Sequence, residues 1–258
     1  MPETAVYAPG TVNWVDLASK DLEKSKTFYS KLFGWQPSTI EDPQAGGYTW
    51  FLIDGKQASA LGGTQGEQQP TAWSIYFATE DADKTSKAVK DAGGKVMAEP
   101  FDVMGAGRMA VFQDPAGAFF SVWEPGTHKG FEIQPGQPGT YAWSELNTND
   151  VDKAKDFYKK VFGWGSKTTP MGPGQPDYTE WQLDGMSIAG GTTMATAMGA
   201  PPHWLIYFAS SDVDATTKKV KELGGNVMLE PQDFPGGRFS IVSDPQGGAF
   251  GLLAMKQR

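Results

Sequence analysis

WVDLASKDLEKSKTFYSKLFGW, residues 14–35, returns without a gap as WSELNTNDVDKAKDFYKKVFGW, residues 143–164, which is 129 positions further on. A second stretch, WSIYFATEDADKTSKAVKDAGGKVMAEP from Trp73, pairs with WLIYFASSDVDATTKKVKELGGNVMLEP from Trp204, and GRMAVFQDPAG pairs with GRFSIVSDPQG. A repeat of this length fixes the architecture before any local reading. The chain is two copies of one domain. The seam, EPGTHKGFEIQPGQPGT at residues 124–140, has the proline and glycine content of a connection. The expected boundaries are a first domain at 1–126, a linker at 127–138 and a second domain at 139–258.

Each copy divides again. VNWVDL, residues 12–17, alternates as a strand does, and Asp21 behind it can cap a helix. Leu22, Phe28, Tyr29, Leu32 and Phe33 then fall near one helical face, and Gly34 suits a left-handed stop. YTWFLIDGKQASALGG follows, with Asp54-Gly55 as a hairpin signal. The strand WSIYFA restarts the pattern, a helix runs from about Asp81 to Ala92, and Gly93-Gly94 closes it. In QDPAG and SDPQG, Asp, Pro and Gly occupy positions of a type I turn. The reading is α+β: four βαβββ modules in two tandem domains.

Composition narrows the function classes. The chain has 258 residues, a formal charge of −8, no cysteine and two histidines, His128 and His203. A thiol nucleophile, a thiolate metal site and a disulfide are therefore excluded. No Lys/Arg cluster offers the basic surface that nucleic acid or an anionic membrane requires. No apolar run approaches the ~18 residues of a membrane span. MPETAVYAPG has neither the basic start nor the apolar core of a signal peptide, so cytoplasmic residence is the expectation.

A doubled βαβββ unit with FY…LFGW in its first helix and DPxG before its last strand resembles the vicinal-oxygen-chelate superfamily. That superfamily holds glyoxalase I, bleomycin-resistance proteins and extradiol dioxygenases. The resemblance covers residues 9 to 254 and looks closest to two-domain actinobacterial glyoxalase-like members. It implies two open eight-stranded cups with the ligand inside and the helices outside. In metal-using members the ligands are His, Glu or Gln at inward positions on the first, fourth, fifth and eighth strands. The matching positions here are Trp14 and Trp143, Ser74 and Leu205, and Ser121 and Gly251; QASALGG and MSIAGGT supply no acid or imidazole on the fourth strand. Such side chains do not make a divalent-metal site. The expectation is no metal and no other cofactor.

Strand alternation assigns the faces. Trp14, Asp16, Ser74, Tyr76, Phe119, Ser121 and Trp123 share the expected inner face of the first copy. Trp143, Glu145, His203, Leu205, Tyr207 and Gly251 share that of the second. Aromatic walls with a few polar groups suit a flat, mostly apolar small molecule. Trp14 and Trp143 equally suit core packing. Asp16 and Glu145 are the candidate general bases, or surface acids if the register slips by one. His203 follows Pro201-Pro202 and reads first as a satisfied polar residue; His128, in the linker, reads as solvated. Arg108 and Arg238 recur at matching places and fit either an anionic ligand or a salt bridge. DVMGAGRM reads as a flexible rim or an ordinary glycine-rich hairpin, and Trp35 and Trp164 as packing residues.

Two functions remain in play. One is a metal-independent binding protein holding a planar drug or secondary metabolite. The other is an enzyme of the same fold, a glyoxalase-like lyase or a metal-free tailoring enzyme using Asp16 or Glu145. In either case the expected partner is a small molecule, and the expected state is a monomer.

Overall fold

The computed structural model describes residues 7–256. The first module is β1 (Val12–Ser19), α1 (Leu22–Phe33), β2 (Gln36–Thr39), β3 (Thr49–Ile53) and β4 (Lys56–Gly63). The second is β5 (Ala72–Ala78), α2 (Ala82–Asp91), β6 (Lys95–Asp102), β7 (Gly107–Gln113) and β8 (Phe119–Pro125). The third is β9 (Tyr141–Asn147), α3 (Val151–Phe162), β10 (Gly165–Thr169), β11 (Tyr178–Leu183) and β12 (Met186–Thr192). A four-residue helix, α4 (Met194–Ala197), precedes the fourth: β13 (His203–Ala209), α5 (Val213–Glu222), β14 (Asn226–Phe234), β15 (Gly237–Ser243) and β16 (Ala249–Met255).

The expected βαβββ unit is present four times. The strands form two eight-stranded mixed sheets, ordered β2-β3-β4-β1-β5-β8-β7-β6 and β10-β11-β12-β9-β13-β16-β15-β14. The second repeats the first strand for strand, as the duplication requires.

Local chemistry sets the element ends as read. Asp21 accepts from the Lys24 N–H and Asp150 from the Lys153 N–H, each satisfying an otherwise orphaned donor of its helix. Gly34 and Gly163 close those helices at φ 76° and 74°, a conformation that a Cβ would penalise.

Packing groups the modules differently from sequence order. Residues 7–14, 75–130 and 144–205 form one compact unit, which holds the second and third modules. Residues 15–74, 131–143 and 206–256 form the other, which holds the first and fourth.

In the unit of the first and fourth modules, the core lies around Tyr29 of α1. Its ring meets Phe51, Trp73 and Phe250 at centroid distances of 6.0, 5.3 and 5.7 Å. The Tyr29 hydroxyl donates to Asp244 Oδ2 at 3.0 Å and accepts from Trp73 Nε1 at 3.1 Å. Trp35 Nε1 donates to the Gly139 carbonyl at 2.8 Å.

The other unit repeats this arrangement with the remaining motifs. Tyr158 donates to Asp114 Oδ2 at 3.2 Å and accepts from Trp204 Nε1 at 3.0 Å, while Trp164 Nε1 donates to the Gly10 carbonyl at 3.0 Å. The aspartates are those of DPxG, each also tied to backbone N–H groups of its own turn. Burial pushes Asp114 and Asp244 above the ordinary carboxylate range and Tyr29 and Tyr158 well above that of a phenol. FY, LFGW and DPxG are thus three parts of one buried clamp, made twice.

Candidate functional site

The clamp fixes which side of each strand faces the helices. Val15, Leu17, Phe51, Ile75, Phe77, Phe120 and Val122 are buried there. Their alternating neighbours lie on the helix-free face, as the strand period requires.

In the unit of the second and third modules, that face is an apolar platform. Phe101, Met109 and Trp123 form one row of Cα partners across β6, β7 and β8, and Val111, Ser121 and Tyr76 form the next across β7, β8 and β5. Trp123, Tyr76 and Ser121 are buried, but Phe101 and Phe119 keep 46% and 54% of their surface exposed. Trp14 lies in the same unit and is buried.

His128 is placed otherwise than its sequence context suggests. The expectation of a solvated linker side chain is overturned. Its ring meets Trp14 edge-on at 4.5 Å and Trp123 at 5.5 Å. The chain is fastened there on both sides. Trp123 Nε1 donates to the His128 carbonyl at 3.0 Å, and the His128 N–H donates to the Ala106 carbonyl at 2.9 Å. Gly130 packs so closely on Asn13 that a Cβ would sit 2.5 Å from the Asn13 carbonyl oxygen. Burial lowers the His128 pKa to about 4, so the imidazole is neutral at pH 7.

In the unit of the first and fourth modules, Asp16, Ala60, Trp50 and Ser38 form a row of Cα partners across β1, β4, β3 and β2. Tyr48 donates to Asp16 Oδ2 at 3.1 Å and meets the Trp50 ring edge-on at 5.2 Å. All three are partly open to solvent, whereas Thr49 and Phe51, which alternate with Tyr48 and Trp50, are buried. Ser74 and Trp143 lie in this unit and are partly buried. Tyr207 is the Cα partner of Gly251, and a Cβ on Gly251 would overlap the Tyr207 ring. The aromatic ring takes the room beside β16 from which an eighth-strand ligand would project.

The remaining candidates are less concentrated. Glu145 is the Cα partner of Gly190, and its Oε1 lies 3.5 Å from Asn147 Nδ2. Leu205 is buried, and His203 is partly buried with Nδ1 2.8 Å from the Pro201 carbonyl. Arg108 and Arg238 belong to ion pairs: Arg108 with Asp83 at 2.6 Å, Arg238 with Asp214 at 2.7 Å. Each ties a strand to a helix of its own module, the structural alternative of the two readings. DVMGAGRM is the β6–β7 hairpin, closed by Ala106 N–H to the Val103 carbonyl.

The register places small residues of the fourth strand beside the two candidate acids. Ala60 stands beside Asp16 and Gly190 beside Glu145. The positions matched to metal ligands carry Trp14, Ser74 and Ser121 in one sheet and Trp143, Leu205 and Gly251 in the other. This donor set does not fit a divalent ion. Among the described residues, no three His, Cys, Asp or Glu gather as a metal site would need.

Comparison with known proteins decides the family. The model of the Glyoxalase/Bleomycin resistance protein/Dioxygenase superfamily matches residues 11–122 and again 140–252. The chain belongs to this superfamily. It is 40% identical to the anthracycline biosynthesis protein DnrV of Streptomyces peucetius over 267 aligned positions, covering 97% of this chain and 95% of that one. It is 37% identical to CFP32 of Mycobacterium tuberculosis, covering 98% of each. Among solved structures, an Mn(II)-bound glyoxalase from Novosphingobium aromaticivorans aligns with a TM-score of 0.66 at 21% identity, over 95% of this chain and 82% of that one. Identity that low carries the superfamily fold alone. Among the described residues, no helix is long and apolar enough to cross a membrane.

Proposed function

We propose that this superfamily member is a metal-independent small-molecule binding protein that holds a planar, mostly apolar ligand against the helix-free aromatic face. The observation that carries the reading is the face bearing Phe101, Met109, Trp123 and Phe119, where two phenyl rings remain about half exposed on the same side of the sheet as a buried indole. A folded protein leaves such rings open on one face at a cost that a flat apolar ligand removes. The donor-poor ligand positions support independence from metal. The relationship to DnrV, named for anthracycline biosynthesis, supports a polycyclic aromatic drug or secondary metabolite as the ligand class. The protein works as a monomer on this small molecule, without nucleic acid or membrane.

A second reading rests on Tyr48 and Asp16. A carboxylate held by a phenol on an accessible face is positioned to take a proton from a bound carbonyl or phenolic compound. Asp16→Asn and Glu145→Gln separate the two readings. Binding largely survives if the protein only binds, whereas turnover falls by orders of magnitude if either acid is the base.

The test of the main reading is native mass spectrometry of protein purified without chelators or a histidine tag. The expected spectrum shows the bare mass or an EDTA-resistant organic adduct. A stoichiometric divalent ion removed by EDTA would overturn metal independence.

A further inference from the structure

We propose that a cleft between the DPxG turn before β8 and the start of α3 binds a primary carboxamide. The cleft has a volume of about 320 Å³ and is lined by Pro115, Ala116, Asn149, Asp150 and Lys153, all in the unit of the second and third modules. That volume is at the lower end of the range for small-molecule pockets. The duplication shows what such a space accepts. In the unit of the first and fourth modules, the residue equivalent to Ala116 is Gln246, and those equivalent to Thr148, Asp150 and Ala154 are Ser19, Asp21 and Ser25. The Gln246 side chain reaches from its own DPxG turn to the start of α1. Its Nε2 lies 2.7 Å from Ser25 Oγ, 3.0 Å from Ser19 Oγ and 3.1 Å from the Asp21 carbonyl oxygen. A carboxamide thus occupies this place as an internal ligand in one unit. In the other, Ala116 brings only a methyl group, and the place is open as the cleft.

The groups that hold Gln246 persist in part around the cleft. The Asp150 carbonyl accepts from the Ala154 N–H at 3.1 Å, as the Asp21 carbonyl accepts from Ser25, and each oxygen has a second lone pair. The Thr148 hydroxyl accepts from the Asp150 N–H at 3.3 Å, as Ser19 accepts from Asp21 at 3.1 Å. Replacement of Ser25 by Ala154 removes one acceptor. A donor is gained in its stead. Lys24 is held by Asp21 at 3.0 Å, whereas its equivalent, Lys153, lines the cleft. The oxygens suit the nitrogen of a carboxamide, and the Lys153 ammonium suits its oxygen. A carboxylate has no donor for the former and an ammonium has no acceptor for the latter.

The experiment follows the backbone amides of the isotope-labelled full-length protein by NMR. One probe is N-acetylglutamine methylamide, which carries the side chain of Gln246; the other is the corresponding glutamate γ-methyl ester, which lacks the nitrogen donors. The expected result is a saturable shift at Ala116, Gly117 and residues 149–153, with the ester binding at least tenfold more weakly. Ala116→Gln supplies the carboxamide from within the chain and abolishes the response to the probe. It also unfolds at a higher urea concentration than Ala116→Met, which fills the same space without a carboxamide. The proposal would be overturned by no saturable shift from the amide probe, by equal binding of the two probes, or by an unchanged response in Ala116→Gln. An Ala116→Gln protein no more stable than Ala116→Met would overturn it equally, because the cleft would then hold no carboxamide better than an apolar chain.

Discussion

The Tyr29 hydroxyl donates to the Asp244 carboxylate at 3.0 Å across 215 positions of sequence, with both side chains buried. The equivalent bond, Tyr158 to Asp114 at 3.2 Å, spans 44. One joins the first module to the fourth and the other joins the second to the third. Equal chemistry at unequal separation follows from the duplication.

Removing either hydroxyl tests the clamp. Tyr29→Phe deletes the donor to Asp244 and the acceptor for Trp73 Nε1 together. A hydrogen bond to a buried charged group contributes about 1.5–3 kcal/mol, so urea denaturation should show a loss near the upper end of that range. Tyr158→Phe should cost about the same. A large inequality would mean that the two clamps are not energetic equivalents.

The neutral His128 makes stability depend on pH in a defined direction. Its folded pKa of about 4 lies below the ordinary 6.5, so between those values the unfolded chain binds more protons than the folded one. This contribution is therefore complete above pH 6.5 and is lost as pH falls towards 4. For a partly exposed ring, the expected loss is about 2 kcal/mol. The buried Asp114 and Asp244, whose carboxyls are pushed up, act in the opposite sense. The measurement is accordingly the difference between wild type and His128→Gln in urea midpoints at neutral and acid pH. A variant as acid-sensitive as the wild type would refute the assignment.

Gly251→Ala places a methyl group into the Tyr207 ring. The ring must leave its position over β16, at a cost of about 1–3 kcal/mol, and the near-ultraviolet circular dichroism of the protein should change. Ser121→Ala, at the equivalent position beside Tyr76, already has its Cβ accommodated and should alter neither signal.

The exposed phenyl rings separate ligand binding from folding. Phe101→Ser and Phe119→Ser should each weaken binding of a planar probe about tenfold, or ~1.4 kcal/mol. Both rings are about half open to solvent, so the melting temperature should stay close to that of the wild type. Undiminished probe affinity in the double variant would remove the platform from the site.

Periodicity and repetition made the fold and the faces legible. Strand alternation placed Trp14, Asp16, Tyr76, Ser121 and Trp123 on one side because Val15, Leu17, Ile75 and Val122 on the other are uniformly apolar. Tyr48 and Trp50 were legible only in part. The Tyr-Thr pair at 48–49 recurs at 178–179, but nothing local shows that Tyr48 reaches a carboxylate 32 positions earlier. His128 was misread for a related reason: polar, glycine-rich surroundings describe the chain beside it, not the two indoles it meets across space.

The sequence by itself determined the duplication, the βαβββ unit and the helix caps. All of these are local patterns or residue identities that survive any arrangement of the modules. Tertiary structure decided that FY and DPxG are partners, that the first module packs with the fourth and the second with the third, and that His128 rests on Trp14 and Trp123. It also decided that the Tyr48 hydroxyl reaches Asp16 and its ring meets Trp50. Each of those facts depends on contacts between residues distant in the chain. Hydrophobic burial chooses such contacts by summing small gains over whole surfaces, and no short stretch of sequence records that sum.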